Sequence, residues 1–198
     1  MEIKMDHANN AKINKMLEAA IACAAQDGLS NEEMEQIGGI FKTVVSIGKD
    51  IQAIFAEHGA FTEIDGWKED EVDFSFESIR DVLNEFASNV LFKPETYEQI
   101  TVDDKYAGEV AEALGNSITL QILCRSIAVA ISAADGDIIN AEHEAIQALT
   151  KKFHPQIKEL NPLMLTICSA IEKPTALAIP CPRGPVVVSM PVFILYSG

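Results

Sequence analysis

Ala-Ala-Asp-Gly-Asp-Ile-Ile-Asn-Ala-Glu, residues 133–142, is the stretch that decides the fold, because residues 24–33 read Ala-Ala-Gln-Asp-Gly-Leu-Ser-Asn-Glu-Glu. Each stretch places an Asp-Gly pair between a small-residue apolar segment and a segment with helical spacing of apolar residues. When one residue is gapped in the first stretch, Asn31 aligns with Asn140 and Glu33 with Glu142. Since the flanks match as well as the turns, the sequence predicts an internal repeat.

Apolar residues recur at helical spacing along most of the chain, which predicts an all-α bundle of about seven helices in two related helix-turn-helix halves. Ser30 followed by Glu33 is a capping-box arrangement that starts the second helix. Residues 118–134 are almost wholly apolar and predict a buried central helix. The other predicted helices span 11–25, 75–91, one or two short stretches within 95–114, a stretch that begins at or beside Asn140, and 161–171. Gly38, Gly39 and Gly48 within the second helix predict close helix packing or a break near Gly48.

The chain divides into a helical domain at residues 1–173 and a Pro-rich, non-helical tail at 174–198. The repeat motifs lie near 12–56 and 118–153, and the segment 57–117 between them is an acidic helical insert. The tail is apolar and irregular, with five prolines and Arg183 as its one charged residue. Residues 186–196 are interpreted as an apolar extended segment that covers a groove or forms an edge strand in a partner. The other interpretation is that the tail is an arbitrary terminus, from which no function is inferred.

The formal net charge of −15 limits the classes of partner. Nucleic-acid binding draws its affinity from clustered Lys and Arg, and anionic membrane surfaces also attract basic segments, so neither partner is expected. Residues 57–112 hold 16 acidic and 4 basic side chains, which localises the charge to the insert. That surface is either a solvated face or a docking site for a basic partner. The apolar segment 118–134 is too short to predict a membrane span.

The cysteines and the first residues bear on the cellular compartment. The four cysteines lack Cys-x-x-Cys spacing and mostly lie in apolar helical stretches, which is typical of buried reduced thiols. They are Cys23, Cys124, Cys168 and Cys181. Residues 1–10 carry charged and amide side chains without an apolar segment, so no signal peptide is predicted. We therefore expect a cytoplasmic protein or one at the cytoplasmic face of a membrane.

The two Asp-Gly turns, each followed by an acidic residue at the start of the next helix, resemble the TerB-like family of tellurite-resistance proteins. This family includes the N-terminal module of a membrane-anchored DnaJ-type co-chaperone. The resemblance covers approximately residues 12–171, and the second copy is the closer match. Gln26, the lack of an acidic residue after Gly28 and the long spacing between the turns depart from the family pattern.

The resemblance implies an all-helical bundle of two related halves and a non-enzymatic role in the response to tellurium oxyanions or to general stress. In the family, acidic residues are proposed to bind metal or partners. For this chain the resemblance implies a protein partner and association with a membrane-bound complex, without itself spanning the membrane. It specifies no oligomeric state.

The carboxylates of the turns allow two interpretations. If the two turns meet, they could hold a hard divalent cation such as Ca²⁺ or Mg²⁺, which takes several oxygen ligands. The candidate ligands are Asp27, Glu33, Asp135, Asp137 and Glu142. The other interpretation is local and needs no metal: each Asp accepts hydrogen bonds from backbone amides at the start of the next helix, and each Glu completes a capping box. An EF-hand is excluded, because the twelfth position counted from Asp135 is Ile146.

The sequence contains no combination of residues that is typical of a catalytic site. His143 is the best candidate base, but its acidic neighbours in sequence point in other directions on a helix, so we expect an exposed surface histidine. Gly38-Gly39 lies in a helix without the Lys of a phosphate-binding loop. The sequence therefore predicts a non-enzymatic module that acts through protein–protein contact, with a divalent-metal-binding sensor as the alternative.

Overall fold

The described part of the chain is mostly helical. The computed structural model describes residues 2–40, 44, 48–49, 72–75, 80, 82, 84, 93–154, 177–181 and 184–188. The helices in these ranges are α1 (Glu2–Ala24), α2 (residues 31–40), α3 (Pro94–Glu98), α4 (Asp104–Leu114), α5 (Ile118–Ser132) and α6 (Asn140–Lys152). This confirms the predicted all-α class for the described part of the domain.

Helix α1 packs against α5, and this pair forms the centre of the bundle. The buried residues of α1 follow helical spacing and alternate with small side chains, which lets the two helices approach closely. They include Ile13, Met16, Leu17, Ala20, Ile21 and Ala24. Helix α1 begins at Glu2, well before the predicted start at residue 11. A formed helix extends at the gain of one hydrogen bond per residue, so polar helix-forming residues continue it without an apolar pattern.

Helix α5 is buried along nearly its whole length, as its apolar sequence predicts. It begins after Ser117, whose Oγ accepts a hydrogen bond from the Leu120 amide at 3.2 Å. The polar side chain of Gln121 in α5 is also buried, and both the nitrogen and the oxygen of its amide form hydrogen bonds. Gln121 Nε2 donates to the Gly115 carbonyl at 2.9 Å, and Gln121 Oε1 accepts from the His154 amide at 2.8 Å. These bonds tie α5 to the loop before it and to the residues that follow α6.

Helices α3, α4 and α6 complete the described bundle. Pro94 is the first residue of α3, and Asp103 caps α4 by accepting from the amides of Lys105 and Tyr106. The two predicted short helices in this region are thus α3 and α4. Helix α4 packs against both α6 and α1, and Lys152 Nζ at the end of α6 contacts Asp104 Oδ2 at 2.9 Å.

Close packing occurs at one of the predicted glycines. Residues 48 and 49 are helical, and a Cβ placed on Gly48 would lie 2.4 Å from Cδ1 of Phe74. The Phe74 ring therefore lies directly on the Gly48 backbone. The loop that carries Phe74 is fixed to α1, because the Asn9 side chain donates to the Asp73 carbonyl at 3.0 Å and accepts from the Asp73 amide at 2.9 Å.

Several predictions fall on parts of the chain outside the described residues. Of the predicted helix 75–91, the described residues 80, 82 and 84 are helical. The predicted helix 161–171 and the insert segment 57–71 lie wholly outside the described ranges. None of the helices in the described ranges is long and apolar enough to cross a membrane.

The tail, which the sequence predicts to be irregular, contains a regular hairpin. Strands β1 (Leu177–Cys181) and β2 (Gly184–Val188) pair antiparallel. The register pairs Leu177 with Val188 and places Pro180 opposite Pro185. The β-branched run in β2 favours an extended backbone, which accounts for a strand where the prolines suggested none.

Candidate functional site

The two Asp-Gly turns have the same backbone signature. Gly28 has φ of 98° and Gly136 has φ of 112°, so both lie in the left-handed region that side chains with a Cβ rarely adopt. Gly28 follows a short 3-10 turn, Ala25–Asp27, and Gly136 follows a turn at residues 133–135. The glycine of each Asp-Gly pair is thus what lets the chain reverse between two packed helices.

The first turn leads into α2 through a complete capping box. The Ser30 amide donates to Glu33 Oε2 at 2.7 Å, and the Glu33 amide donates to Ser30 Oγ at 3.1 Å. These reciprocal bonds satisfy two amides at the start of the helix. The local interpretation of Ser30 and Glu33 is confirmed.

The second turn leads into α6 through half of the same arrangement. The Ile139 amide donates to Glu142 Oε2 at 2.8 Å, which repeats the bond made by Glu33. Ile139 stands where Ser30 stands in the first copy, and it has no side-chain oxygen to return the bond. The prediction that each Glu completes a capping box is therefore wrong for the second copy.

Glu142 is buried with only one of its oxygens bonded. Its side chain belongs to a residue that is 2% exposed, and among the described residues Oε1 has no hydrogen-bond partner. The Ser132 hydroxyl lies nearby and favours the charged carboxylate, although it forms no hydrogen bond of ordinary geometry. A buried carboxylate oxygen without a hydrogen-bond partner destabilises the folded state, so Glu142 Oε1 is an energetically unfavourable feature of the second turn.

The two turns lie close together, because α6 packs against the short 3-10 turn Ala25–Asp27. Burial, with the charges of Glu33 and Asp27 adding to its effect, raises the pKa of Glu142 to about 7 against the opposing effect of the Ile139 amide. Glu33 is itself 3% exposed. The structure thus brings together Asp27, Glu33 and Glu142, which are three of the five predicted ligands.

The other two predicted ligands lie apart on the surface. Asp135 and Asp137 are exposed, and Asp135 Oδ1 accepts from the Asp137 amide at 3.3 Å. Asp135 therefore bonds within its own turn and not at the start of α6, contrary to the local interpretation. In the ranges that the structure describes, no group of three or more His, Cys, Asp or Glu side chains has the arrangement of a metal site.

Two buried thiols lie close to each other, and Cys23 is also near Glu142. Cys23 and Cys124 are both free and buried, as predicted for reduced thiols. Burial raises the pKa of Cys23, and the neighbouring Cys124 and Glu142 raise it further. Burial also raises the pKa of Cys124 to about 12. Both thiols therefore stay protonated near neutral pH, and neither is a ready nucleophile.

His143 is exposed, as predicted, and lies beside Gln147. The two side chains approach through Gln147 Nε2 and His143 Nε2 at 2.7 Å. This pair is one helical turn apart on α6, so the contact is the usual one between neighbours on a helix surface.

The surroundings of the two turns differ. The first turn lies under α3 and the loop after it, since Gln26 Nε2 donates to the Ile100 carbonyl at 2.9 Å and the Leu29 amide approaches Glu98 Oε1 at 3.5 Å. At the second turn, Ile138 and Ile139 are each 38% exposed. Comparison of the two copies in the sequence could have found this difference, because a polar Ser in the first copy becomes Ile in the second.

Comparison with known proteins adds no relative. No family model matches the chain, and no curated protein or solved structure matches it either. The function proposed below is therefore inferred from the residues and geometry of the two turns.

Proposed function

We propose that the chain is a non-enzymatic TerB-like module of the stress or tellurite response, built from two related helix-turn-helix halves, that acts through protein–protein contact. The observation that carries this proposal is the shared geometry of the turns. In both copies a glycine with positive φ precedes a helix. The third residue of that helix, Glu33 or Glu142, accepts a hydrogen bond from the backbone amide of the residue before the helix. This match supports the resemblance that the sequence motif suggested.

The chemistry of the site also favours contact over catalysis. The buried thiols Cys23 and Cys124 have raised pKa values, which suppresses their nucleophilicity. The net charge of −15 instead suits a basic partner surface, because complementary charge speeds and orients protein association.

The test is recovery of a specific complex from cells under native conditions. The tagged full chain is expected to elute with a partner in stoichiometric amount, and a quantitative pull-down that returns only free chain would sink the proposal. Gly136→Ala distorts the second turn, since its φ of 112° strains any residue with a Cβ although no atom lies within 4 Å. Gly38→Ala is the matched control, because Gly38 has no positive φ and equal open space. Loss of the partner with Gly136→Ala alone would tie the complex to the turn.

The second candidate function is a divalent-cation sensor, and one observation favours it. Glu142 Oε1 is buried without a partner, and the charge of Glu33 opposes ionisation of the same carboxyl. A cation held by Glu142 with Glu33 and Asp27 would neutralise this repulsion and supply the missing contact. Ca²⁺ and Mg²⁺ prefer oxygen ligands, but these three described carboxylates do not have the arrangement of a metal site in this structure, so binding would require them to move closer together.

Calorimetric titration separates the sensor from the interaction module. Ca²⁺, Mg²⁺, Mn²⁺ and Zn²⁺ are titrated into wild type, Glu142→Gln and the pair Asp135→Asn with Asp137→Asn. A site at the buried carboxylates predicts heat that is lost in Glu142→Gln and kept in the surface pair. Absence of heat and of any change in melting temperature in the wild type would remove the sensor.

A further inference from the structure

The two copies of the repeat can be compared for the residues that cover each Asp-Gly turn. Leu29 aligns with Ile138, and Ser30 with Ile139. In the first copy Leu29 packs against the core, and its amide approaches Glu98 Oε1 of the short helix α3. The first turn is thus covered by a helical segment of the chain itself.

In the part of the chain that the structure describes, the aligned residues of the second turn are more exposed. Ile138 and Ile139 are the only large apolar side chains that are exposed in the ranges that the structure describes. They are adjacent in sequence and form one patch, at a place where the first copy has the polar Ser30. Contiguous exposed apolar side chains mark contact surfaces more often than single ones do.

The charged residues beside the two isoleucines indicate the kind of partner. Asp135 and Asp137 are exposed on the loop that carries the two isoleucines. Asp137 is also the residue inserted relative to the first copy, so the second turn has one more negative charge. A second copy of this chain is disfavoured as the occupant, because it brings its own net charge of −15.

We propose that Ile138 and Ile139, with Asp135 and Asp137 at the rim, form a docking surface for a basic, amphipathic helical segment of a partner protein. This inference rests on the interaction function proposed above and names its surface. The segment occupies the second turn as α3 occupies the first. It places apolar side chains on the isoleucines and a Lys or Arg beside each aspartate.

The test uses the full chain and a labelled peptide of leucines and lysines at helical spacing. Its counterpart carries glutamate in place of each lysine. Two variants alter the surface: Ile138→Ser with Ile139→Ser, and Asp135→Asn with Asp137→Asn. The control, Glu95→Gln with Glu112→Gln, removes the same charge from two exposed positions on α3 and α4. Circular dichroism shows that each variant is folded, and Ile139→Ser is expected to gain a helix cap.

The wild type is expected to bind the lysine peptide and not the glutamate peptide in fluorescence anisotropy. Each surface variant should weaken binding about tenfold, and the control less than about twofold. Equal weakening by the control would show binding spread over the acidic surface and would overturn the docking site. Failure of the wild type to bind the lysine peptide would also overturn it. Either result leaves the interaction function in place, since that function fails only when the native pull-down returns free chain.

Discussion

The charge of Glu33, at the start of α2, raises the pKa of Glu142, at the start of α6. The two residues hold equivalent positions after the two Asp-Gly turns and form equivalent bonds, each accepting the amide that precedes its helix. The helix starts are thus close enough for one carboxylate to oppose ionisation of the other. The bundle therefore buries two carboxyl groups where its two turn motifs meet.

Glu142 makes the stability of the fold fall as pH rises from about 4.5 to about 7. In the folded state the carboxyl keeps its proton up to about pH 7, whereas the unfolded chain releases it near the ordinary value of 4.5. Within this window the folded state binds more protons, so the free energy of unfolding decreases with pH. The loss should be about 1–3 kcal/mol at its maximum.

Glu142→Gln removes this dependence. The variant should match the wild type in urea unfolding at pH 4.5 and exceed it by about 1–3 kcal/mol at pH 8, because it buries no charge. Glu112→Gln, at an exposed position, serves as the control for the change in net charge. Parallel pH profiles for Glu142→Gln and the wild type would contradict the buried-charge account.

Glu33→Gln should lower the pKa of Glu142. Gln at this position still accepts the Ser30 amide through its side-chain oxygen, so the capping box is kept while the charge is lost. Carbon-13 NMR of the Glu142 carboxyl across pH 4–9 measures the lowered pKa directly. Glu35→Gln, on the exposed face of α2, is the control. An unmoved Glu142 titration in Glu33→Gln would show that the two charges do not interact.

Gly48→Ala should destabilise the fold, whereas Gly38→Ala should not. The new Cβ at position 48 would lie 2.4 Å from the Phe74 ring, so the ring must move away from the helix. Overpacking of this kind costs about 1–3 kcal/mol. Position 38 has no atom within 4 Å, so Ala there gains helix propensity of up to about 1 kcal/mol. Thermal unfolding of both variants measures the difference, and equal melting temperatures would contradict the packing at Gly48.

The two helix starts should respond in opposite directions to exchange of their capping residues. Ser30→Ala removes the acceptor of the Glu33 amide and should cost about 1 kcal/mol. Ile139→Ser supplies the missing acceptor at α6 and should stabilise the fold by a few tenths to about 1 kcal/mol. Urea unfolding near pH 7 measures both variants. Destabilisation by Ile139→Ser would show that the isoleucine packs in a way that its exposure does not suggest.

The sequence predicted the helices whose apolar residues form a recognisable pattern. The apolar residues of α1 recur at helical spacing, α5 is apolar and buried along nearly its whole length, and the capping box at Ser30 follows from local chemistry alone. The early start of α1 could not be predicted, because polar residues continue a helix without leaving a periodic pattern.

The sequence could not show which carboxylates meet. Asp27, Glu33 and Glu142 lie together because α1 and α5 pack and bring the turns side by side, and this depends on tertiary contacts over more than a hundred residues. Asp135 and Asp137 have the same chemistry in the sequence but point to the surface. Spacing along the chain cannot distinguish these outcomes.

The packing of α1 on α5 has a consequence for synthesis of the chain. Helix α1 is synthesised before α5, but α5, its main packing partner in the described bundle, ends only at Ser132. Until that residue has left the exit tunnel, the surface of α1 that packs on α5 lacks its native partner. Emerging domains with such exposed apolar surface are prone to aggregate. The core of the described bundle therefore closes only after α5 has emerged.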